Sequence, residues 1–209
     1  MKTAILLYDR FTALDAVGPY EVLSRLPGAE TVFVAARPGP VTADTGALTL
    51  TAHAGLSDVP SADLLLVPGG PGQEALMEDA GHLEWLRAAD ATSAWTTSVC
   101  SGSLLLAAAG LLKGRRATSH WALAEGLTGF GAVPAKERVV IDGKYATAAG
   151  VSAGIDLALT LAGKIAGDAT AQAVQLLVEY DPQPPYAAGN PATAPEGTVE
   201  RVRELIRES

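Results

Sequence analysis

Short apolar runs alternate with stretches of helical period along this chain. Each run has the length of one strand, and unbroken apolar runs are typical of strands buried on both faces of a sheet. The runs that predict central strands are Thr3–Leu7, Thr31–Ala36, Leu64–Val67 and Trp95–Val99. The alternation predicts an α/β fold, with a mostly parallel central sheet flanked by helices.

The intervening segments have the spacing of helices that bury one face. The predicted helices are Leu14–Arg25, His82–Thr92, Ser101–Ala109, Ala153–Ala166, Ala169–Val178 and Glu196–Arg207. Val139–Ile141 and Tyr145–Ala148 flank an Asp-Gly turn and predict a hairpin. Residues 182–195 contain five prolines with little periodicity and predict an ordered strap or a loop before the last helix. We find no repeat and no linker, so we expect a single domain over residues 1–209.

Composition narrows the classes of function. The chain has 48% hydrophobic residues, a net charge of −8 and no basic stripe, which argues against nucleic-acid and anionic-membrane partners. Its one cysteine excludes an internal disulfide and a cysteine-cluster zinc site. The apolar runs are too short for a signal peptide or a membrane span. We therefore expect a cytoplasmic protein.

Cys100 is the strongest candidate for chemistry, because it follows a predicted strand and precedes a predicted helix. A residue on such a turn projects into the crevice at the carboxyl ends of the strands, as in a nucleophile elbow. The N-terminus of the following helix would favour a thiolate, so we expect a lowered thiol pKa. The alternative is a buried structural cysteine.

Other candidates follow neighbouring strands. Asp15 is either an acid that meets a helix dipole or a proton donor and acceptor for Cys100. The turn that begins Gly69-Gly70 matches no phosphate-binding motif and would bring backbone N–H groups close to a reacting atom, or would be a plain turn. His120 is a further candidate to line the crevice, although a structural histidine is an equal alternative, so a Cys–His dyad stays open.

Several segments together resemble the ThiJ/PfpI superfamily of glutamine amidotransferase-like, flavodoxin-like α/β folds. The segments that carry the resemblance are FTALDAVGPYEVL (11–23), LLLVPGGPG (64–72), SVCSGSLLLAAAGLLKGRRATSHW (98–121), DGKYATAAGVSAGIDLAL (142–159) and EYDPQPPYAAGNP (179–191). The Leu-Asp pair before Gly-Pro, together with Cys-Ser-Gly-Ser, is most similar to the isonitrile hydratase branch. Those enzymes convert an isonitrile to an N-substituted formamide, without metal or organic cofactor, as homodimers.

The resemblance implies roles for particular residues. Cys100 would be the nucleophile, Asp15 its acid/base partner, and Ser101 would match a hydroxyl residue that is usually threonine. The N–H groups of Gly70 and Ser101 would form an anion-stabilising pocket, in the turn that Gly69 begins. Protease-like members have histidine directly after the cysteine, so Ser101 argues against a peptidase.

Three other functions stay open on the sequence. A glyoxalase- or deglycase-like enzyme would use the same cysteine on α-oxoaldehydes, although other branches use glutamate where this chain has Asp15. A redox-sensing or stress protein would simply be oxidised at Cys100. Similar domains also occur fused to DNA-binding helices, for which this sequence leaves little room.

Overall fold

The computed structural model describes residues 1–208, which form eleven strands and seven α-helices. The strands are β1 Lys2–Leu6, β2 Glu30–Ala35, β3 Gly39–Thr42, β4 Thr49–Ala52, β5 Ala54–Gly55, β6 Leu64–Val67, β7 Trp95–Val99, β8 Arg116–Ala117, β9 Val133–Pro134, β10 Val139–Asp142 and β11 Tyr145–Ala148. The α-helices are α1 Ala13–Leu23, α2 Gln73–Leu76, α3 Ala80–Thr92, α4 Gly102–Ala108, α5 Ala153–Ala166, α6 Asp168–Leu177 and α7 Thr198–Glu208. A 3-10 helix spans Ala124–Phe130, and a shorter one spans Leu56–Asp58.

Seven strands form one sheet in the order β10-β11-β7-β6-β1-β2-β5. All neighbouring pairs are parallel except β10 with β11, which form the predicted antiparallel hairpin. The predicted α/β architecture is therefore confirmed. Strand order reverses between β1 and β6, and ligands of such sheets bind beyond the carboxyl ends of the strands near that reversal.

The hydrophobic core lies on both faces of the three central strands. β6 is buried along its whole length, which accounts for its unbroken apolar sequence, and β1 and β7 are buried after their first residue. In β7 the buried residues include Thr96, Thr97 and Ser98, so this strand is buried without being apolar throughout. α1 packs against α5, and α3 and α4 pack against each other. Because α1 follows β1 and α4 follows β7, both helices begin at the carboxyl end of the sheet.

The chain divides into two compact units. The first is Met1–Val178, which contains the whole sheet and α1 to α6, and the second begins at Glu179 and carries α7. Residues 182–195, for which the sequence predicts a strap or a loop, contain neither helix nor strand. Within residues 1–208, no helix has the length and apolar character needed to cross a bilayer.

Candidate active site

Cys100 lies on the sharp turn between β7 and α4, as predicted, with a φ of +57°. This left-handed conformation is uncommon for a residue other than glycine, so the surrounding structure must hold it. The Cys100 N–H donates to the carbonyls of Ala148 and Ala149 at 3.1 and 3.0 Å. Its carbonyl accepts hydrogen bonds from Ser103 Oγ at 3.2 Å and Ser119 Oγ at 3.0 Å. These four hydrogen bonds hold the backbone of Cys100 in this conformation.

Asp15 lies in the first turn of α1 and is fully buried, with 0% of its surface exposed. Its Oδ2 accepts a hydrogen bond from the Gly69 N–H at 2.9 Å. Oδ1 is buried, and among residues 1–208 it has no partner in hydrogen-bond geometry. A buried carboxyl with one unoccupied oxygen is poised to exchange a proton with a reacting group.

The pKa of the Asp15 carboxyl is raised from 3.8 to about 7, chiefly because burial penalises its charged form. The Asp44 carboxylate raises this pKa further by charge repulsion. The Gly69 N–H and the Cys100 thiol lower it, since both interact favourably with the carboxylate. Asp15 is therefore close to half ionised near pH 7, and it can act as a base or as an acid.

The prediction of a lowered thiol pKa at Cys100 is wrong. The pKa is raised to about 12, first by burial and then by the nearby Asp15 charge. Hydrogen bonds from the N–H groups of Val151 and Ser101 and from the Ser101 hydroxyl lower it, but they do not offset burial of a thiol that is 7% exposed. At neutral pH, Cys100 therefore carries its proton and stands beside a partly ionised carboxyl.

The glycine turn contacts Asp15 and Ser101, the residue that follows Cys100. A Cβ at Gly69 would lie 2.6 Å from the Ser101 nitrogen and 2.9 Å from Asp15 Oδ2, so only glycine fits. Gly70, at φ +136°, donates its N–H to Ser101 Oγ at 3.1 Å. Of the two N–H groups in the predicted anion pocket, that of Gly70 therefore already donates to Ser101 Oγ, and that of Ser101 points at the Cys100 sulfur. The roles of Gly69, Gly70 and Ser101 in stabilising an anion stay predictions.

His120 lies near the elbow but does not pair with Cys100. It follows Ser119, and its ring packs against Gly150, where a Cβ would lie 2.6 Å from the ring Cδ2. Burial lowers the pKa of the imidazole, and its Nδ1 accepts a hydrogen bond from the Ala122 N–H at 3.3 Å. In the described part of the chain, no hydrogen bond joins His120 to Cys100, so the geometry does not form a Cys–His dyad.

Two residues at the site were missed by sequence reasoning. Val151, at φ +33°, directs its N–H at the Cys100 sulfur, although a β-branched residue is among the least expected at positive φ. Tyr8 is buried, and its hydroxyl lies close enough to Asp15 and Cys100 for their charges to raise its pKa, after the larger effect of burial. Only Tyr8 carried a signal, because it follows the end of a central strand.

A cavity of about 620 Å³ opens beside this site at the carboxyl ends of β1, β2 and β6. Tyr8 and Gly72 form part of its wall, and charged side chains such as Arg37 and Glu74 line its rim. Its volume is in the range of small-molecule sites, although Cys100 and Asp15 do not line it. No group of three or more metal-ligating His, Cys, Asp or Glu side chains is present within residues 1–208.

Comparisons with known proteins agree with this architecture. Residues 1–164 match the model of the DJ-1/PfpI family. An isonitrile hydratase of Pseudomonas putida is 46% identical over 204 residues, which cover 98% of this chain and 89% of that enzyme. The crystal structure of a ThiJ/PfpI family protein from Pseudomonas syringae superposes with a TM-score of 0.95 at 41% identity, covering 99% of this chain and 86% of the other. A deglycase of Pyrococcus abyssi is 26% identical over 147 residues, covering 69% of this chain and 87% of that protein. The chain therefore belongs to the DJ-1/PfpI family.

Proposed function

We propose that this protein hydrates isonitriles to N-substituted formamides through a covalent intermediate on Cys100. The observation that carries the proposal is the buried pair of Cys100 and Asp15, in which a protonated thiol lies beside a carboxyl with a pKa of about 7. The 46% identity to the Pseudomonas putida isonitrile hydratase supports the choice of substrate class. The reaction adds one water molecule and needs no electron transfer.

In the first step, the Cys100 sulfur forms a bond to the terminal carbon of the isonitrile. The Asp15 carboxylate takes the thiol proton as the bond forms and delivers it to the same carbon. The product is a thioimidate, with the former isonitrile carbon bonded to hydrogen, to sulfur and, by a double bond, to nitrogen. A thiol that stays protonated at rest suits this step, because its proton is the one that the carbon must gain.

In the second step, water adds to the thioimidate carbon, and the nitrogen gains a proton. The Asp15 carboxylate helps to activate this water. The tetrahedral intermediate then collapses: its hydroxyl becomes the formamide carbonyl, the carbon–sulfur bond breaks, and the hydroxyl proton returns to the sulfur through Asp15. The N–H groups of Ser101 and Val151 and the Ser101 hydroxyl stabilise the negative charge that develops on the departing sulfur.

The test is turnover of small aryl and alkyl isonitriles by purified protein, with no added metal or nucleotide, followed as formamide by chromatography. Cys100→Ala should abolish turnover because the covalent path is lost. Cys100→Ser should be nearly as inactive, since a hydroxyl is a much weaker nucleophile than sulfur. Mass spectrometry of quenched reactions should find the isonitrile mass added at Cys100. Consumption of methylglyoxal without any formamide would refute the proposal and favour a glyoxalase-like activity.

A further inference from the structure

Tyr8 takes no part in the two steps above, yet it is 4% exposed and lies close enough to Asp15 and Cys100 for their charges to act on it. Its hydroxyl donates a hydrogen bond to the Pro68 carbonyl at 2.8 Å. Its ring packs on the glycine turn, where a Cβ at Gly72 would lie 3.1 Å from Tyr8 Cδ2. The ring and the hydroxyl are therefore both held in place.

The Pro68 carbonyl, which accepts the hydrogen bond from Tyr8, belongs to the same peptide unit as the Gly69 N–H. That N–H donates to Asp15 Oδ2 at 2.9 Å, so a continuous chain runs from the Tyr8 hydroxyl through one peptide to the carboxyl. A hydrogen bond accepted by a peptide carbonyl polarises the amide and makes its N–H a stronger donor. It also resists rotation of the peptide plane, which would aim the N–H away from Asp15.

We propose that Tyr8 is a positioning residue for Asp15, acting through the peptide unit that joins Pro68 to Gly69. The proposal deepens the proposed function, on which it rests, by naming what keeps the acid/base group aimed and ionisable. Donation from Tyr8 strengthens the Gly69 hydrogen bond to the carboxylate and so favours the charged form of Asp15. Without the hydroxyl, a larger fraction of Asp15 is protonated at neutral pH.

The other groups that act on Asp15 are unchanged when only the Tyr8 hydroxyl is removed. They are the Cys100 thiol on the elbow and the Asp44 carboxylate, which accepts a hydrogen bond from Thr12 Oγ1 at 2.6 Å. The Tyr8 hydroxyl carries no charge at neutral pH, because its own pKa is raised well above the usual value by burial. Any change in Asp15 titration on removing this hydroxyl therefore reports on the peptide link.

Tyr8→Phe tests the link, because it removes the donor and keeps the ring. Labelling proline carbonyls with ¹³C and glycine nitrogens with ¹⁵N leaves four Pro–Gly signals, from Pro27-Gly28, Pro38-Gly39, Pro68-Gly69 and Pro71-Gly72. The Gly69 signal is identified by its loss of titration in Asp15→Asn. In wild type its amide shift should titrate with a midpoint of about 7. In Tyr8→Phe the amide proton should move upfield, and the midpoint should rise by roughly 0.1 to 0.7.

Tyr145→Phe is the matched control. It also removes a buried tyrosine hydroxyl, one that donates to Asp90 at 3.2 Å, but it does so at the start of β11, at the opposite end of the sheet. The Gly69 signal should not change in this variant.

If Tyr8→Phe is too unstable to study, 3-fluorotyrosine at position 8 gives a folded protein with a stronger donor, and the midpoint should fall instead. A Gly69 shift and midpoint equal to wild type in either Tyr8 variant would overturn the proposal.

Kinetics supply a second readout that a purely structural role would not move. In Tyr8→Phe, the pH at which kcat/KM for an isonitrile is half-maximal should rise by the same amount as the Gly69 midpoint, with kcat at pH 7 lowered by up to about 3-fold and little change in KM. An unshifted profile would overturn the role in positioning. The amide titration requires no substrate, so it tests Tyr8 even if the protein turns over no isonitrile, and the two proposals can fail separately.

Discussion

Burial acts on Asp15 and Cys100 in the same direction, since it raises the pKa of both side chains. For Asp15 the result is a carboxyl that titrates near neutrality, where general acid–base groups work best. For Cys100 the result is a thiol that keeps its proton until it reacts. The two residues therefore form a proton-transfer pair, and the reactivity of the sulfur depends on the state of the carboxyl.

Asp15→Asn should lose most turnover, with a fall in kcat of roughly 10²- to 10⁴-fold. The amide is equal in size and can still accept the Gly69 hydrogen bond, but it cannot take or return a proton. The measurement is steady-state formamide production across pH. Near wild-type rates in this variant would show that Asp15 is only an acid at the start of a helix.

Stability of the same variant serves as the control for folding. The Asp15 pKa is raised in the native state, so the folded protein binds this proton more tightly than the unfolded chain, and the stability that it confers at low pH is lost as pH rises from 3.8 to about 7. The difference corresponds to about 4 kcal/mol. The free energy of unfolding of Asp15→Asn, measured with denaturant, should therefore increase relative to that of wild type over this pH range, by up to that amount. An equal pH dependence of the two proteins would contradict the raised pKa.

Part of this site could be predicted from the sequence, and part could not. Cys100 and Asp15 stand out because each follows a strand that the apolar pattern identifies. The direction of the thiol pKa could not be predicted, since burial outweighs the N–H groups that face the sulfur, and burial depends on how segments distant in sequence pack. Tyr8 was missed because its connection to Asp15 runs through the peptide between Pro68 and Gly69. The carbonyl of this peptide accepts from Tyr8 and its N–H donates to Asp15, which the sequence does not reveal.

At the scale of elements, two helices meet closely behind the reactive pair. A Cβ at Gly18 of α1 would lie 3.1 Å from Ile155 of α5. A Cβ at Gly154 of α5 would lie 3.0 Å from Val99 of β7 and 3.1 Å from Pro19 of α1. Gly154 is thus the point where α1, α5 and β7 converge, and this contact sets the distance of α1, which carries Asp15, from the strand that carries Cys100.

Gly154→Ala should lower stability by roughly 1 to 3 kcal/mol, because its new methyl group meets buried atoms on two elements. It should also reduce turnover, since α1 must move away from β7. Thermal unfolding and formamide production measure the two effects.

Gly163→Ala is the matched control within the same helix. Its Cβ would meet the exposed Asp168 side chain at 3.1 Å, which can move aside. Alanine is the better helix former, so this variant should gain up to about 1 kcal/mol and keep full activity. If the two variants behave alike, close packing at Gly154 does not set the helix position.

The pattern of apolar runs was enough to place the four central strands, the β10–β11 hairpin and the six longer helices within a few residues. It missed the β3–β4 hairpin, in which buried and exposed residues alternate over only four positions in each strand. It also missed α2, a single turn directly after the glycine turn. Such short elements depend on their neighbours for stability, so their own sequences carry little signal.

At the scale of the whole molecule, the chain exposes large apolar side chains that the isolated protomer does not cover. Leu176 and Leu177, at the end of α6, are 80% and 69% exposed. Single exposed leucines are common on soluble proteins, whereas two adjacent ones at such exposure favour a further contact. A homodimer is also what the sequence resemblance to the isonitrile hydratase branch implies for this chain.

We propose that the protein is a homodimer in solution. Sedimentation velocity in the micromolar range should then give a species of about twice the 21.3 kDa chain mass. If the protomers dissociate when they unfold, a higher protein concentration favours the folded dimer. The midpoint of thermal unfolding should then rise with protein concentration. A 21.3 kDa species with an unfolding midpoint independent of concentration would contradict the proposal. Running both measurements on Cys100→Ala removes disulfide-linked pairs as an explanation, because the chain has only this cysteine.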